Sequence, residues 1–263
     1  MRKLIGIAIA TTLLPLTVLT ASAASYSAAP KSMPAQPATT QTPNSTPAPA
    51  STPAPVTAPT KAMPVESVAS APLIKAYAAT YKVKAKADGE LRKKLRYQGN
   101  AVKIKSTLKA SKMFVDVTIK QTEEGVLTAK GLAAKSLVVD NSRNNGPKTF
   151  DFKNGEMGNL SVIYTLRNSL LSDATTLPTI NMLRKNKFEK LDFSITSRNE
   201  KVSTGLGDLL ATKVVATANN GDVLAYYFAN NNAQYNGVLV KMTITTKDNE
   251  QSLLASLNAY KAR

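Results

Sequence analysis

Between Lys75 and Tyr97 the chain alternates. Tyr77, Ala79, Tyr81, Val83, Ala85 and Ala87 take odd positions and Lys82, Lys84 and Lys86 even ones; after Asp88-Gly89, Leu91, Leu95 and Tyr97 are again odd against Arg92, Lys94 and Arg96. A period of two sends successive side chains to opposite faces, so the pattern predicts two strands, each with one face buried. The faces also restrict the turn. A two-residue Asp88-Gly89 loop would set Val83 across from Lys94 and mix the faces. A three-residue loop, Ala87-Asp88-Gly89, keeps them apart by pairing Ala85 with Leu91, Tyr81 with Leu95 and Ala79 with Tyr97, with Gly89 left-handed. The same register sets Lys86 opposite Glu90, Lys84 opposite Arg92 and Lys82 opposite Lys94, giving an amphipathic hairpin with a cationic exterior. Lys93 falls on the apolar parity, which an end or edge position would accommodate without burying a charge.

The alternation continues. In "AVKIKSTLK" Val102, Ile104 and Leu108 point inward and Lys103, Lys105 and Lys109 outward, and "MFVDVTIK" keeps Met113, Val115, Val117 and Ile119 on one parity. Shorter strands are predicted at 125–133 and 136–140, with Glu123-Glu124 in a turn and "DNSRNNGPK" as a loop before "TFDF". One segment changes period. "GNLSVIYTLRNSLLSD" repeats Leu160, Ile163, Tyr164, Leu170 and Leu171 at steps of three and four, which predicts a helix capped by Asn159 and packed on the sheet. Strands resume at "KLDFSITSRNEKV", "LLATKVVATAN", "DVLAYYFAN" and "GVLVKMTITTK", and "EQSLLASLNAYKAR" reads as a short closing helix. The fold class expected is mainly β: a curved antiparallel sheet or barrel-like meander with one packed helix and a short C-terminal helix.

Residues 1–72 carry no such pattern. Arg2 and Lys3 precede an apolar run from Leu4 to Leu19 and an Ala21-Ser22-Ala23 site, the organisation of a secretory leader cut after residue 23. Residues 24–72 are rich in Pro, Ala, Thr and Ser, too poor in bulky apolar side chains to offset their ordering entropy, and read as a disordered linker. Residues 73–263 then form a single domain. No span is expected after leader cleavage, and the absence of cysteine removes both disulfides and a lipid-bearing thiol, so the expected location is periplasmic without lipoprotein anchoring. Formal charge is +17. Arg2 and Lys3 leave with the leader, and Lys31, Lys61 and Glu66 put a net +1 on the linker, so +14 stays on the folded part. That balance points to anionic partners.

With neither histidine nor cysteine, Ser-His-Asp, Cys-His and thiolate or imidazole zinc chemistry are excluded, and no metal or cofactor is expected. Ser106-Thr107-Leu108-Lys109 spells S-x-x-K, but on a predicted strand without companion motifs it is read as coincidence. Asp151, Asp192 and Asp248 lack a spacing that would join two carboxylates in one site. Gly205-Leu206-Gly207 is a strand-joining turn rather than a dinucleotide fingerprint. Of Tyr226, Tyr227 and Phe228, alternation assigns two to the core.

Several stretches resemble domain-of-unknown-function family 3108, bacterial exported proteins of mostly antiparallel sheet. They are "LSVIYTLRNSL", similar to the family's single helix; "TGLGDLLATKVV", similar to its turn and following strand; "YYFANNNAQYNGVLVKMTI", similar to its aromatic strand, loop and final strand; and "YAATYKVKAKADGELR", similar to its first hairpin. The resemblance implies fold and compartment and supplies no catalytic residue. The function expected is a non-catalytic cell-envelope protein. Its candidate site is the basic outer face of Lys82, Lys84, Lys86, Arg92, Lys94, Arg96, Lys103 and Lys105, facing an anionic envelope polymer or lipid headgroups, with an apolar ligand on the concave side. Nucleic acid is disfavoured because the hairpin's tyrosines lie opposite its lysines. The competing class is a carboxylate-dependent enzyme acting on envelope glycans.

Overall fold

Alternating burial organises most of the chain in the computed structural model, which describes residues 73–112, 115–128, 131–230 and 232–263. The expected leader (1–23) and linker (24–72) lie outside the described residues. The strands are β1 (Tyr77–Lys84), β2 (Asp88–Gln98), β3 (Ala101–Lys112), β4 (Val115–Thr128), β5 (Gly131–Asn141) and β6 (Lys148–Asp151), then β7 (Glu156–Met157) and the helix α1 (Asn159–Leu171). After it come β8 (Ile180–Arg184), β9 (Lys187–Leu191), β10 (Ser194–Thr204), β11 (Gly207–Thr217), β12 (Val223–Ala229), β13 (Leu239–Thr245) and β14 (Gln251–Ala262).

Eleven strands make one antiparallel sheet in the order β10-β11-β12-β13-β14-β1-β2-β3-β4-β5-β6, and β7-β8-β9 form a small second sheet. Among the described residues no pairing joins β10 to β6, so the large sheet is open. It is nevertheless strongly curved, and α1 demonstrates it. The N-terminal turn of α1 bonds to Glu123 on β4 and to Tyr226 on β12. Those strands are six steps apart in the sheet, about 29 Å if it were flat at about 4.8 Å per step. Both arms must therefore wrap the helix. Val162 and Leu166 are fully buried against Tyr81, Phe228, Met242 and Leu257, among others, in one continuous core.

Three sequence expectations are corrected here. "EQSLLASLNAYKAR" is not a helix. It is β14, with Leu253, Ala255 and Leu257 buried on one parity and both its edges paired, to β13 and to β1. Leu253, Leu254 and Leu257 also suit a helical stripe, but a slot between two strands, each with unpaired backbone groups, decides for a strand. The first hairpin has the expected faces with a different register. Tyr81 pairs with Leu91, Tyr77 with Leu95 and Ala79 with Lys93, so the last pair is Val83 with Gly89 and Ala85 to Ala87 connect the strands. Gly89 consequently lies inside β2 opposite Val83, where a Cβ would meet the Lys109 carbonyl oxygen at 2.5 Å; it is not a left-handed turn residue. Finally, β4 runs unbroken through Glu123-Glu124, which are therefore strand residues and not a turn.

Candidate anion-binding face and buried polar row

The eight predicted site residues are all exposed. Lys82 and Lys84 stand on β1 and Lys86 in the connection, while Arg92, Lys94 and Arg96 on β2 and Lys103 and Lys105 on β3 share one face of neighbouring strands. The corrected register removes the like-charge pairs expected within the first hairpin, where Lys82 now faces Glu90 and Arg92 faces Thr80. It creates others one strand along. Lys94 lies directly opposite Lys105, and Arg96 opposite Lys103. Each such pair costs about 0.2–1 kcal/mol relative to a neutral one. Part of the charge is compensated, by Arg92 with Glu90 at 2.5 Å and by Lys103 with Glu124 at 2.5 Å. Among the described residues no carboxylate lies within ion-pair distance of Lys94, Arg96 or Lys105. A shallow cleft of about 280 Å³ opens between Glu90, Arg92, Lys94, Lys105, Thr107 and Lys109. Lys109 was legible as outward-facing, yet only the register shows that it borders this cleft.

On the opposite face, three strands carry polar groups where apolar ones were expected. Lys93, Ser106 and Gln121 sit directly across from one another on β2, β3 and β4, and the Ser106 hydroxyl donates to Gln121 Oε1 at 3.2 Å. Lys93 is only 2% exposed, so the edge placement expected for it is wrong. Its ammonium sits 5.4 Å from the centre of the Tyr81 ring. Glu123, one step further along β4, is 1% exposed. Its carboxylate accepts the backbone N–H groups of Gly158, Leu160 and Ser161 at 3.0, 3.1 and 3.2 Å. Those are the donors a helix start leaves without intrahelical partners. The N-cap position itself is Gly158, with no side-chain bond, and Asn159 is the first helical residue, so the expected Asn159 cap is replaced by a carboxylate delivered from the sheet. Gly158 is required for that approach, since a Cβ there would stand 2.7 Å from Glu123 Oε2. Asn159 instead accepts the Tyr226 hydroxyl at 2.9 Å.

Burial sets the ionisation of the pair. Desolvation pushes the Glu123 carboxyl up to about 7 against the opposing pull of Ser161 and the helix N–H groups. Desolvation also brings the Lys93 ammonium down to about 7, resisted by the Glu123 charge. Both groups are shielded from solvent, and Glu123 is committed to holding the start of α1 against the sheet.

The remaining candidates separate. Ser106 is buried and Lys109 exposed on the opposite parity, so S-x-x-K forms no dyad. Asp151 ends β6, Asp192 lies between β9 and β10, and Asp248 lies between β13 and β14, all exposed. Gly205 and Leu206 join β10 to β11 as expected, with Gly207 at φ 96°. Tyr226 and Phe228 enter the core; Tyr227, on the other face, is covered by Lys213 and Lys241, whose ammonium groups lie 5.5 and 5.0 Å from its ring centre. Among the described residues no helix is long and apolar enough to cross a membrane, and no group of three or more His, Cys, Asp or Glu could hold a metal ion.

No protein-family model matches the chain, so the resemblance to family 3108 rests on the quoted residues alone. No curated protein matches it either. Among solved structures it is similar to a beta-barrel-like protein of domain-of-unknown-function family 1849 from Brucella abortus, at 10% identity and TM-score 0.44, over 73% of this chain and 100% of that one. It is also similar to MucB, at 9% identity and TM-score 0.34, over 74% of this chain and 56% of that one. Likenesses this loose carry no functional argument. The class the geometry itself defines is an open, curved antiparallel sheet wrapped around one helix.

Proposed function

We propose that the protein is a non-catalytic, periplasmic cell-envelope protein, of the kind the family 3108 resemblance implies, whose cationic sheet face docks on an anionic envelope component. One observation carries the reading. Lys94 and Lys105 are held directly opposite each other, beside Arg96 and Lys103, at a cost to stability that a solvated surface without a partner has no reason to maintain. A polyanion would relieve that repulsion, and the row of cations along β2 and β3 suits an extended polymer or a headgroup layer better than a compact ligand. Against the enzyme reading, Glu123 is engaged by the helix start and sealed from solvent, and the exposed aspartates stand on separate connections. An apolar ligand finds the concave face already filled by α1. A cleft of about 470 Å³ lies beside Leu132, Met157, Tyr164, Leu177 and Ile180.

Co-sedimentation of the purified protein with envelope fragments at rising ionic strength tests the proposal. Binding that weakens steeply from about 0.1 M to about 1 M salt is expected, as the screening length falls from about 10 Å to about 3 Å. Retention that ignores salt, or no retention at all, contradicts it.

A further inference from the structure

A cleft of about 590 Å³ lies away from the basic ribbon, where the C-terminal end of α1 meets β10, β11, β12 and the loop entering β13. We propose that it is a binding site for a neutral saccharide. Leu170, Leu171 and Phe228 line it together with the side-chain amides of Asn199, Asn230, Asn232 and Asn236. A carboxamide both accepts and donates, which matches a sugar hydroxyl or acetamido group that does the same. The two ionic groups lining it, Arg198 and Asp173, cancel, so an anion is not favoured here as it is on the β2–β3 ribbon.

The backbone is reshaped around this cleft. Ser197 pairs with Lys213 and Glu200 with Ala211, so Arg198 and Asn199 together oppose Thr212 in a bulge, with Asn199 left-handed at φ 63°. A second irregularity lies between Tyr227 and Phe228, whose partners on the β13 side are Lys241 and Leu239. Bulges of this kind re-aim side chains and concentrate beside functional sites. The wall is also pre-organised, which lowers the cost of binding. Asn230 Nδ2 donates to Asn199 Oδ1 at 3.0 Å and to Thr212 Oγ1 at 3.2 Å, tying β12 to β10 and β11. Asn232 Oδ1 accepts the N–H groups of Gln234 and Tyr235, both at 3.0 Å, and the N–H of left-handed Gly237 returns to the Ala229 carbonyl at 2.7 Å. Asn230 Oδ1 is shielded from solvent with no donor among the described residues, an unmet acceptor in a wall otherwise well bonded.

The test is a titration of the isotopically labelled protein with N,N′-diacetylchitobiose and, separately, trialanine, followed by amide resonances. The disaccharide is expected to give saturable shifts at Arg198, Asn199, Asn230 and Asn236 below about 10 mM, insensitive to salt, while the tripeptide leaves them in place. The exposed double substitution Arg198→Ala/Asn236→Ala should weaken the disaccharide about tenfold without moving the melting temperature. Absence of saturable shifts, the tripeptide moving these resonances in place of the sugar, or unchanged affinity in the double variant would overturn the proposal. Salt-dependent envelope binding is read separately, so either conclusion can fail alone.

Discussion

Replacing Glu123 with Gln perturbs the point at which sheet and helix are joined. The carboxylate accepts three N–H groups at 3.0 to 3.2 Å, and a glutamine retains one carbonyl oxygen for them while its NH₂ group faces donors. Hydrogen bonds to a charged group contribute about 1.5–3 kcal/mol each. Loss of about 3 kcal/mol in urea unfolding is therefore expected, with unchanged denaturant dependence. Lys93→Met should cost less, since it removes a desolvated ammonium and leaves the helix donors bonded. The double variant should recover more than 1 kcal/mol relative to the sum of the two. The pair also gives a pH signature. Glu123, raised from 4.5 to about 7, stabilises the fold below pH 4.5 and loses that contribution as pH rises to about 7. Lys93, lowered from 10.5 to about 7, stabilises it above pH 10.5 and loses that contribution as pH falls to about 7. Their joint contribution is thus smallest near neutrality. Glu123→Gln should abolish the acidic limb and Lys93→Met the basic one. A Glu123→Gln cost under about 0.5 kcal/mol, with strictly additive effects, would refute this account of how the helix is held.

Other outcomes follow from the same structure. Gly158→Ala places a methyl 2.7 Å from Glu123 Oε2 and should lower stability by about 1–3 kcal/mol, measured by urea unfolding. Leu257→Ala, at a fully buried position of β14, should cost about 2–5 kcal/mol, whereas a peripheral C-terminal helix would lose far less. Tyr226→Phe removes the hydroxyl donated to Asn159 and should cost about 1 kcal/mol in thermal unfolding.

The faces of the strands were legible in the chain because a period of two survives any surroundings, and the eight basic residues assigned to the exterior are there. The register was not. A hairpin slipped by two residues on each strand keeps every side chain on its face, so pairing Tyr81 with Leu91 or with Leu95 satisfies the same pattern. The choice between them decides which lysines meet, and it rests on contacts with β3 and β14. The last element was ambiguous for a related reason: Leu253 and Leu257 fit either period, Leu254 fits only the helical one, and the slot between β13 and β1 selects the strand. Lys93 was visible as a break in parity, and taking that parity literally would have buried it, but an isolated charge on an apolar face is usually an edge residue. Glu123 was assigned to a turn with Glu124, and nothing local links positions 93, 123 and 158. The amide-rich cleft gathers residues from α1, the bulge in β10 and the loop before β13, a juxtaposition made only by the curvature of the sheet.

The proposed anion docking rests on the ribbon of β2 and β3. Charge reversal at Lys94 and Lys105 together, two exposed positions with no ion pair to lose among the described residues, tests it in one binding isotherm against vesicles containing anionic lipid or against anionic envelope polymer. Melting should be unchanged while affinity drops at least tenfold at about 0.1 M salt, converging with the parent protein near 1 M. Equal affinity of parent and variant at low salt would contradict it.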